Sequence, residues 1–241
     1  MPLVYLCVRP EAEAARAESA SFRAGAQLDQ EQLEMLDLTR EPLPADAFER
    51  WSGFLVGGSP FNVSDRDQDK SGIQQRVEAD LERVAGAAVD ARVSALFTCY
   101  GIGVVTRMLG GTVSRAYPEP TGPTEVRLTD AAAGDPILGA LPTRFTALSA
   151  HKEGSGEAPP SAVLLATNEA CPVQAYRVGQ RLYATQFHPE STPLPFTERM
   201  AFYRDGGYFA AAEYAEIAQR VLAASVTEPG RMLRAFARLG A

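Results

Sequence analysis

Several residue types are scarce in this sequence of 241 residues, and each shortage removes a class of protein. Only three cysteines occur, an odd number without paired spacing, which argues against a disulfide framework and for a reducing compartment. Two histidines and no CxxC pair argue against a zinc site. Apolar runs all fall short of the ~20 residues that span a bilayer, and the N-terminus lacks the features of a signal peptide. We therefore expect a cytoplasmic protein without a membrane segment.

Positive charge is also scarce and scattered. The net charge is −7, and lysine and arginine form no cluster. This distribution predicts neither a nucleic-acid groove nor a membrane-binding patch. The length and the apolar fraction of 46% allow one large α/β domain or two small ones.

The order of apolar and helical segments predicts the fold. Apolar runs at residues 3–8, 33–38, 53–58 and 93–100 alternate with stretches of helical composition. Such alternation predicts an α/β fold in three layers, with a doubly wound, mainly parallel sheet between two layers of helices. Short strand-like segments follow, and the composition becomes helical from about Phe196. We expect one domain over residues 1–195 and a helical extension over residues 196–241 packed on it.

The segment LFTCYGIGVV places Cys99 between a predicted strand and a predicted helix. A nucleophile on such a turn stands clear of the sheet, and the helix N-terminus favours a thiolate over a thiol. A buried structural cysteine fits the same segment about equally well. A metal ligand is the third interpretation, and other motifs have to decide among them.

Two further turns carry chemistry. Pro189 keeps the backbone of His188 extended, so that the side chains of His188 and Glu190 share a face. A carboxylate beside an imidazole orients it as the general base of a cysteine, although His-Pro-Glu alone fits a surface histidine near a loop acid better. Earlier, Gly57 and Gly58 end a predicted strand and could present a backbone N–H as an oxyanion donor, or form an ordinary turn.

Together these motifs resemble the class I glutamine amidotransferase family. The order is Gly57-Gly58, then Cys99-Tyr100-Gly101, then QFHPE at residues 186–190, and the resemblance covers roughly residues 50–195. The GSPFNVSD turn, the HKE segment at 151–153 and the helical tail are most similar to stand-alone, GMP-synthase-like members. The resemblance implies a flavodoxin-like α/β fold.

The resemblance also implies a reaction. Cys99 would attack the side-chain amide carbon of glutamine, and backbone N–H groups near Gly58 and Tyr100 would hold the oxyanion. His188 would take the thiol proton and deliver it to the leaving ammonia, while Glu190 orients His188. Water would then hydrolyse the thioester, and the ammonia would pass to an acceptor or a partner synthase. No cofactor or metal is implied.

Two positions depart from the family pattern. Phe97 stands where the elbow commonly has glycine, and Gly103 where a glutamine often helps to hold the substrate. These departures leave open a γ-glutamyl peptide or amide hydrolase with the same triad, and a non-catalytic binding protein. The resemblance places His151 at the rim as a substrate contact, whereas a lone loop histidine is more commonly just solvated.

The remaining motifs predict structural roles. Cys7 and Cys171 have no histidine assigned to them and are interpreted as structural. Alternating aspartates in SDRDQDKSG imitate part of a calcium loop, but Arg76 stands where the loop's glutamate belongs, which favours a solvated turn. The aromatic residues of the tail are expected to pack onto the domain.

Overall fold

A computed structural model describes residues 1–204 and 206–240 of the chain. The strands are β1 (Leu3–Cys7), β2 (Leu33–Asp37), β3 (Gly53–Val56), β4 (Ser94–Thr98), β5 (Glu119–Leu128), β6 (Arg144–His151), β7 (Ala162–Thr167), β8 (Ala175–Val178) and β9 (Leu182–Thr185). The helices are α1 (Ala12–Ala26), α2 (Ala47–Arg50), α3 (Gly72–Val89), α4 (Tyr100–Met108), α5 (Pro193–Met200), α6 (Tyr214–Ala223) and α7 (Glu228–Gly240). Short 3-10 turns lie at Asp67–Asp69, Asp130–Gly134, Ala201–Tyr203 and Ala211–Glu213.

One mixed sheet organises the described chain. Its strand order is β2-β1-β3-β4-β9-β8-β7-β5-β6. From β2 to β9 the neighbouring strands are parallel, and from β9 to β6 they are antiparallel. The predicted α/β fold with helices at the C-terminus is confirmed, and the structure adds that the parallel arrangement is confined to one half of the sheet.

Side-chain alternation along the buried strands builds the two helical layers. In β1, Val4 and Leu6 join the core beneath α3 and α4. Leu3 and Tyr5 join the opposite core, to which α1 and α7 contribute. Because successive strand residues point to opposite faces, a run that is apolar at every position serves a sheet covered on both sides.

The site is positioned by the carboxyl ends of the parallel strands. Arg9 follows β1, Gly57 follows β3, Cys99 follows β4 and Gln186 follows β9. These strands are adjacent and parallel, so their ends meet at one edge of the sheet. Ligand sites of open α/β sheets lie at this edge.

The C-terminal extension packs on the same sheet. Phe196, Met200, Ile217 and Val221 form a third apolar cluster with Leu148 of β6. Helix α7 packs in the core beside α1, and the boundary expected at residue 195 falls inside α5, so that division stays a prediction. Among the residues described, no helix has both the length and the apolar character that a membrane crossing requires.

Candidate active site

Cys99 occupies the turn between β4 and α4 in a conformation that few non-glycine residues adopt. Its φ is 52° and its ψ is −104°, and α4 begins at the next residue, Tyr100. Its N–H donates to the carbonyl of Thr185 at 2.8 Å, which ties the turn to β9. A strained strand-to-helix turn of this kind holds the nucleophile at the edge of the sheet in elbow-type hydrolases.

Phe97, which stands where the elbow of the family commonly has glycine, does not narrow the cleft. The side chain of Phe97 is fully buried in the core beneath α4. A Cβ on Gly101 would lie 3.1 Å from the Phe97 Cβ, so the glycine after Tyr100 gives Phe97 its space. A family position that is commonly glycine thus carries a large side chain that points away from Cys99.

His188 lies between Cys99 and Glu190. Its Nδ1 donates to Glu190 Oε1 at 2.9 Å, and both residues are 2% exposed. Because Nδ1 faces the carboxylate, Nε2 is the nitrogen left for Cys99, whose Sγ donates to the carbonyl of Ala150 at 3.7 Å in this structure. The structure therefore brings together the three residues that the sequence predicted as nucleophile, base and orienting acid.

The electrostatics of this group favour a protonated His188. Burial alone would lower the pKa of His188, but the charges of Glu190 and Cys99 raise it to about 9. Burial would raise the pKa of Glu190, whereas His188 and Arg199 hold it far below its ordinary value. At neutral pH the imidazolium therefore faces the sulfur and is available to protonate a leaving group.

The Gly57-Gly58 turn lies against the same group. A Cβ on Gly58 would lie 3.0 Å from His188 Cε1 and 3.5 Å from Cys99 Cβ, and one on Gly57 would collide with the Glu18 carboxylate. Only glycines allow this close approach. The N–H of Gly58 donates to Glu18 Oε1 at 3.3 Å in this structure, so its service as an oxyanion donor stays a prediction.

A buried charge cluster behind the triad was missed at the sequence level. Arg9 Nη2 donates to Glu18 Oε1 at 2.8 Å. Arg199 Nη1 donates to both Glu18, at 3.2 Å, and Glu190, at 3.0 Å. Burial would raise the pKa of Glu18, but the two arginines lower it. The cluster joins α1, α5 and the end of β1 to the triad carboxylate.

One sequence signal could have pointed to this cluster. Ala14, Glu18 and Phe22 recur every four residues and are all buried in α1. A glutamate on the apolar stripe of a helix has to find a buried partner, which marks it for attention. The arginines that meet it come from the end of β1 and from α5, and no local pattern links them.

The cluster also bears on metal binding. Ligand atoms of Glu18, His188 and Glu190 all lie within 4.8 Å of one another. The guanidinium groups of Arg9 and Arg199 already occupy the carboxylates. Adding a cation there would set it against two fixed positive charges, so the donor set does not suit a metal ion.

His151 belongs to a different group. It is 5% exposed, its Nδ1 donates to the carbonyl of Glu153 at 2.8 Å and its Nε2 lies 2.8 Å from Glu119 Oε2. Burial would raise the pKa of Glu119, but hydrogen bonds from His151, Thr124 and Asn168 lower it to about 2. Both ring nitrogens are engaged, so the expected contact between His151 and substrate stays a prediction that these hydrogen bonds do not favour.

The space beside Gly103 is filled from the neighbouring loop. A Cβ on Gly103 would lie 3.1 Å from Val63 Cγ2 and 3.9 Å from Glu153 Oε1. The Glu153 carboxylate accepts the N–H groups of Val63, at 2.5 Å, and Ser64, at 3.0 Å. Val63 and Glu153 therefore stand where the family often has a substrate-holding glutamine.

Two cavities meet at Cys99. The first, here called the His188 cavity, encloses about 400 Å³ of empty space, part of it open to solvent; its lining includes Cys99, His188, Phe196, Met200, Tyr208 and Phe209. The second, the Gly103 cavity, encloses about 340 Å³; its lining includes Cys99, Gly103, Asn62, Lys152, Glu153 and Gln186. Tyr208 of the extension borders both cavities, so a tail aromatic residue both packs on the domain and shapes the cleft.

The other sequence candidates lie outside the cleft. Burial raises the pKa of Cys7 to about 12 and that of Cys171 to about 11, which keeps both as unreactive thiols. The alternating aspartates are paired with basic side chains, with distances of 2.8 Å for Asp65–Arg115, 2.7 Å for Asp69–Arg66 and 3.2 Å for Asp67–Lys70. These ion pairs support the solvated turn over a calcium loop.

The fold and the family model define the class of this protein. The model described as class-I glutamine amidotransferase matches residues 30–204, and the chain belongs to that family.

Among curated relatives, the chain is 31% identical to one component of the glutamine-hydrolysing GMP synthase of Methanopyrus kandleri, over 64% of this chain and 73% of that protein. It is 25% identical to gamma-glutamyl peptidase 3 of Arabidopsis thaliana, over 59% of this chain and 55% of that protein. The chain spans about a quarter (26%) of the length of the full GMP synthases that it matches. A solved glutamine amidotransferase of Thermotoga maritima shares the fold, with a TM-score of 0.76, 16% identity and coverage of 99% of this chain and 98% of that one.

Proposed function

We propose that this protein hydrolyses the side-chain amide of glutamine through a thioester on Cys99. The observation that carries the proposal is the strained elbow at Cys99 with the buried His188–Glu190 pair, 2.9 Å apart, beside it. Membership in the class I family supports the same reaction. The thiolate at a helix N-terminus facing an imidazolium is the activated form of a cysteine nucleophile.

In the proposed reaction the sulfur of Cys99 attacks the amide carbon and a C–S bond forms. The negative oxygen that develops is held by the N–H of Tyr100, at the open first turn of α4, and by a backbone N–H of the Gly57-Gly58 turn. The proton on His188 moves to the amide nitrogen as the C–N bond breaks, and ammonia leaves. Water, deprotonated by His188, then cleaves the thioester to give glutamate and the free thiol.

The released ammonia needs an acceptor. The relative from Methanopyrus kandleri is named as one component of a GMP synthase, and this chain covers 73% of it. We therefore propose that the ammonia passes to a partner synthase.

A second candidate function is hydrolysis of larger γ-glutamyl amides with the same triad. The cavity beside His188 is bordered by Phe196, Met200, Tyr208 and Phe209, side chains that would contact a substituent on the leaving amine and that ammonia does not need. The relative named gamma-glutamyl peptidase supports this candidate. The replacement of a glutamine by Gly103 also removes a contact that would favour free glutamine.

The test is covalent labelling combined with product release. A chloroketone analogue of glutamine should label one thiol per chain, glutamine should slow the labelling, and Cys99→Ser should abolish both labelling and glutamate release. Cys7→Ala is the matched control, because Cys7 is buried and outside the cleft, and it should label as the unaltered chain does. Glutamate release that survives Cys99→Ser would overturn the proposal. If the chain without Cys99 still performed its cellular role unaltered, that result would favour a non-catalytic binding protein.

A further inference from the structure

The two cavities that meet at Cys99 differ in chemistry. Polar and charged side chains border the Gly103 cavity, among them Asn62, Lys152, Glu153 and Gln186. The His188 cavity has one apolar and aromatic side, formed by Phe196, Met200, Tyr203, Tyr208 and Phe209, and another side that carries Arg9 and Arg199. A substrate that fills both must therefore have one polar half and one apolar half.

The position of His188 determines which half of the substrate lies in which cavity. His188 borders the first cavity and is absent from the lining of the second, while Tyr100, the proposed oxyanion donor, borders the second. A general acid has to reach the atom that it protonates within hydrogen-bond distance. The leaving amine therefore lies in the His188 cavity, and the glutamyl half, with its α-amino and α-carboxylate groups, lies in the polar Gly103 cavity.

The apolar wall is held in place by contacts of its own. Phe196 packs against the His188 ring at a centroid distance of 6.0 Å. The Tyr208 ring is covered by Lys152 Nζ at 4.3 Å, and its hydroxyl donates to the carbonyl of Ser59 at 3.4 Å. Phe209 packs on Tyr214 at 6.2 Å. These contacts hold the ring faces that a bound amine would touch.

The arginines that border the His188 cavity are held in buried ion pairs, although Arg9 Nε has no hydrogen-bond partner among the described residues. Arg9 is paired with Glu18 at 2.8 Å, and Arg199 with Glu18 at 3.2 Å and Glu190 at 3.0 Å. A carboxylate on the leaving group would have to compete with these buried ion pairs and lose its own hydration. Thr121 Oγ1 is buried and has no hydrogen-bond partner among the described residues, so the wall offers one neutral hydrogen-bonding position.

From this geometry we propose that the substrates are γ-glutamyl amides of apolar amines that carry no further charge. The inference rests on the proposed Cys99 chemistry and names its leaving group. The C–S bond forms at the γ-carbonyl carbon, the C–N bond to the apolar amine breaks, and the His188 proton goes to that nitrogen. Water then releases glutamate and regenerates the thiol.

The experiment compares substrates that differ in one group, using the full chain and glutamate release as the readout. γ-Glutamylphenethylamide and γ-glutamylphenylalanine have the same ring and differ by one carboxylate. We expect the phenethylamide to have the higher kcat/KM by about 10-fold or more, because the carboxylate of γ-glutamylphenylalanine would have to compete with the buried ion pairs. It should exceed glutamine by a similar factor, since each well-placed apolar group contributes about 10-fold or more to such ratios.

Two substitutions test whether the aromatic side of the His188 cavity causes this substrate preference. Phe209→Ala should lower the ratio of kcat/KM for the phenethylamide over γ-glutamylmethylamide by about 10-fold. Phe202→Ala is the matched control in the same segment, because Phe202 is 42% exposed and does not border the cavity. It should leave that ratio unchanged.

The possible outcomes separate the apolar leaving group from the Cys99 chemistry. Preference for γ-glutamylphenylalanine, or Cys99-dependent hydrolysis of glutamine alone, would overturn the apolar leaving group and leave the proposed chemistry standing. A chain that neither hydrolyses any γ-glutamyl compound nor labels at Cys99 would overturn both. An equal loss of the substrate ratio in Phe209→Ala and Phe202→Ala would contradict the assignment of the wall.

Discussion

Both histidines of this chain are buried beside a carboxylate, yet the two pairs are built for different work. His188 lies 2.9 Å from Glu190, and His151 lies 2.8 Å from Glu119. The difference is on the other side of each ring. His188 presents its second nitrogen to a thiol, whereas the second nitrogen of His151 donates to a backbone carbonyl at 2.8 Å.

Both ring nitrogens of His151 lie against oxygens of the fold, so neither faces a reactive group. His151 therefore fixes the turn after β6, whose Glu153 in turn holds the backbone of Val63 and Ser64. Under the proposed mechanism His188 uses its other nitrogen for proton transfer, because that nitrogen is the one left for Cys99 and no carbonyl of the described residues holds it. A histidine–carboxylate pair thus indicates catalysis only when its outer nitrogen faces a reactive group.

The largest effect is expected when each histidine is replaced separately, in the variants His188→Gln and His151→Gln. His188→Gln should lower kcat/KM by roughly 10³–10⁴-fold, because it removes the group that moves the proton. His151→Gln should change kcat/KM by less than about 10-fold but lower the free energy of unfolding by about 3 kcal/mol, since it breaks a buried pair. Steady-state rates and urea unfolding of both variants measure the two effects.

The urea unfolding curves of the two variants serve as the control for the rate measurements. Rates are compared only at temperatures and denaturant concentrations where both variants are fully folded. Were a folded His151→Gln variant to lose as much activity as His188→Gln, the division between a chemical and a structural pair would be wrong.

The next largest effect concerns the groups that hold the carboxylate of each histidine–carboxylate pair. Glu190 is joined through Arg199 to the buried Glu18, while Glu119 is held by neutral groups and His151. Glu18→Gln removes a buried charge that also accepts the Tyr5 hydroxyl at 2.6 Å, and leaves buried arginines short of a partner. We expect it to lower the free energy of unfolding by about 3–5 kcal/mol in urea titrations.

Glu13→Gln is the matched control for that experiment. Glu13 lies in the same helix on its exposed side, so its replacement should change stability by no more than about 0.5 kcal/mol. Equal, small changes in the two variants would show that the charge cluster does not hold α1 against the triad.

The sequence predicted those parts of the site that depend on local patterns. Cys99 at a strand–helix junction and His188 two residues from Glu190 are properties of short windows of the chain. The alternation of apolar and helical segments likewise predicted the α/β fold, because each segment shows its own periodicity. Most of the antiparallel half pairs consecutive strands, β5 with β6, β7 with β8 and β8 with β9, whereas the β4–β9 pairing that joins the two halves links strands far apart in the chain and lies in no short window.

Residues that meet only through the fold could not be found this way. Glu18 and Arg199 are 181 positions apart, and His151 and Glu119 are 32 apart. His151 looked like a loop histidine because its partner is on β5, outside any local window. The sequence showed that Phe97 departs from the family pattern but not where its side chain points. The pleat of β4 directs that side chain into the core.

The smallest expected effect is a shift in a pH profile, and it sharpens the contrast between the pairs. The pKa of His188 is raised to about 9 by Glu190 and Cys99, against the effect of burial. In the proposed reaction the protonated imidazolium donates to the leaving group, so kcat/KM should fall about 10-fold per pH unit above about pH 9.

Glu190→Gln removes the carboxylate that contributes most to this elevation, so the alkaline limb should move to lower pH by a fraction of a unit to about two units. Glu119→Gln, the matched change at the other pair, should leave the limb in place, because Glu119 faces His151 rather than the reacting histidine. Profiles of kcat/KM from pH 6 to about pH 10 on the folded variants measure both. An alkaline limb that moves equally in the two variants would show that His188 is not the acid whose proton is being lost.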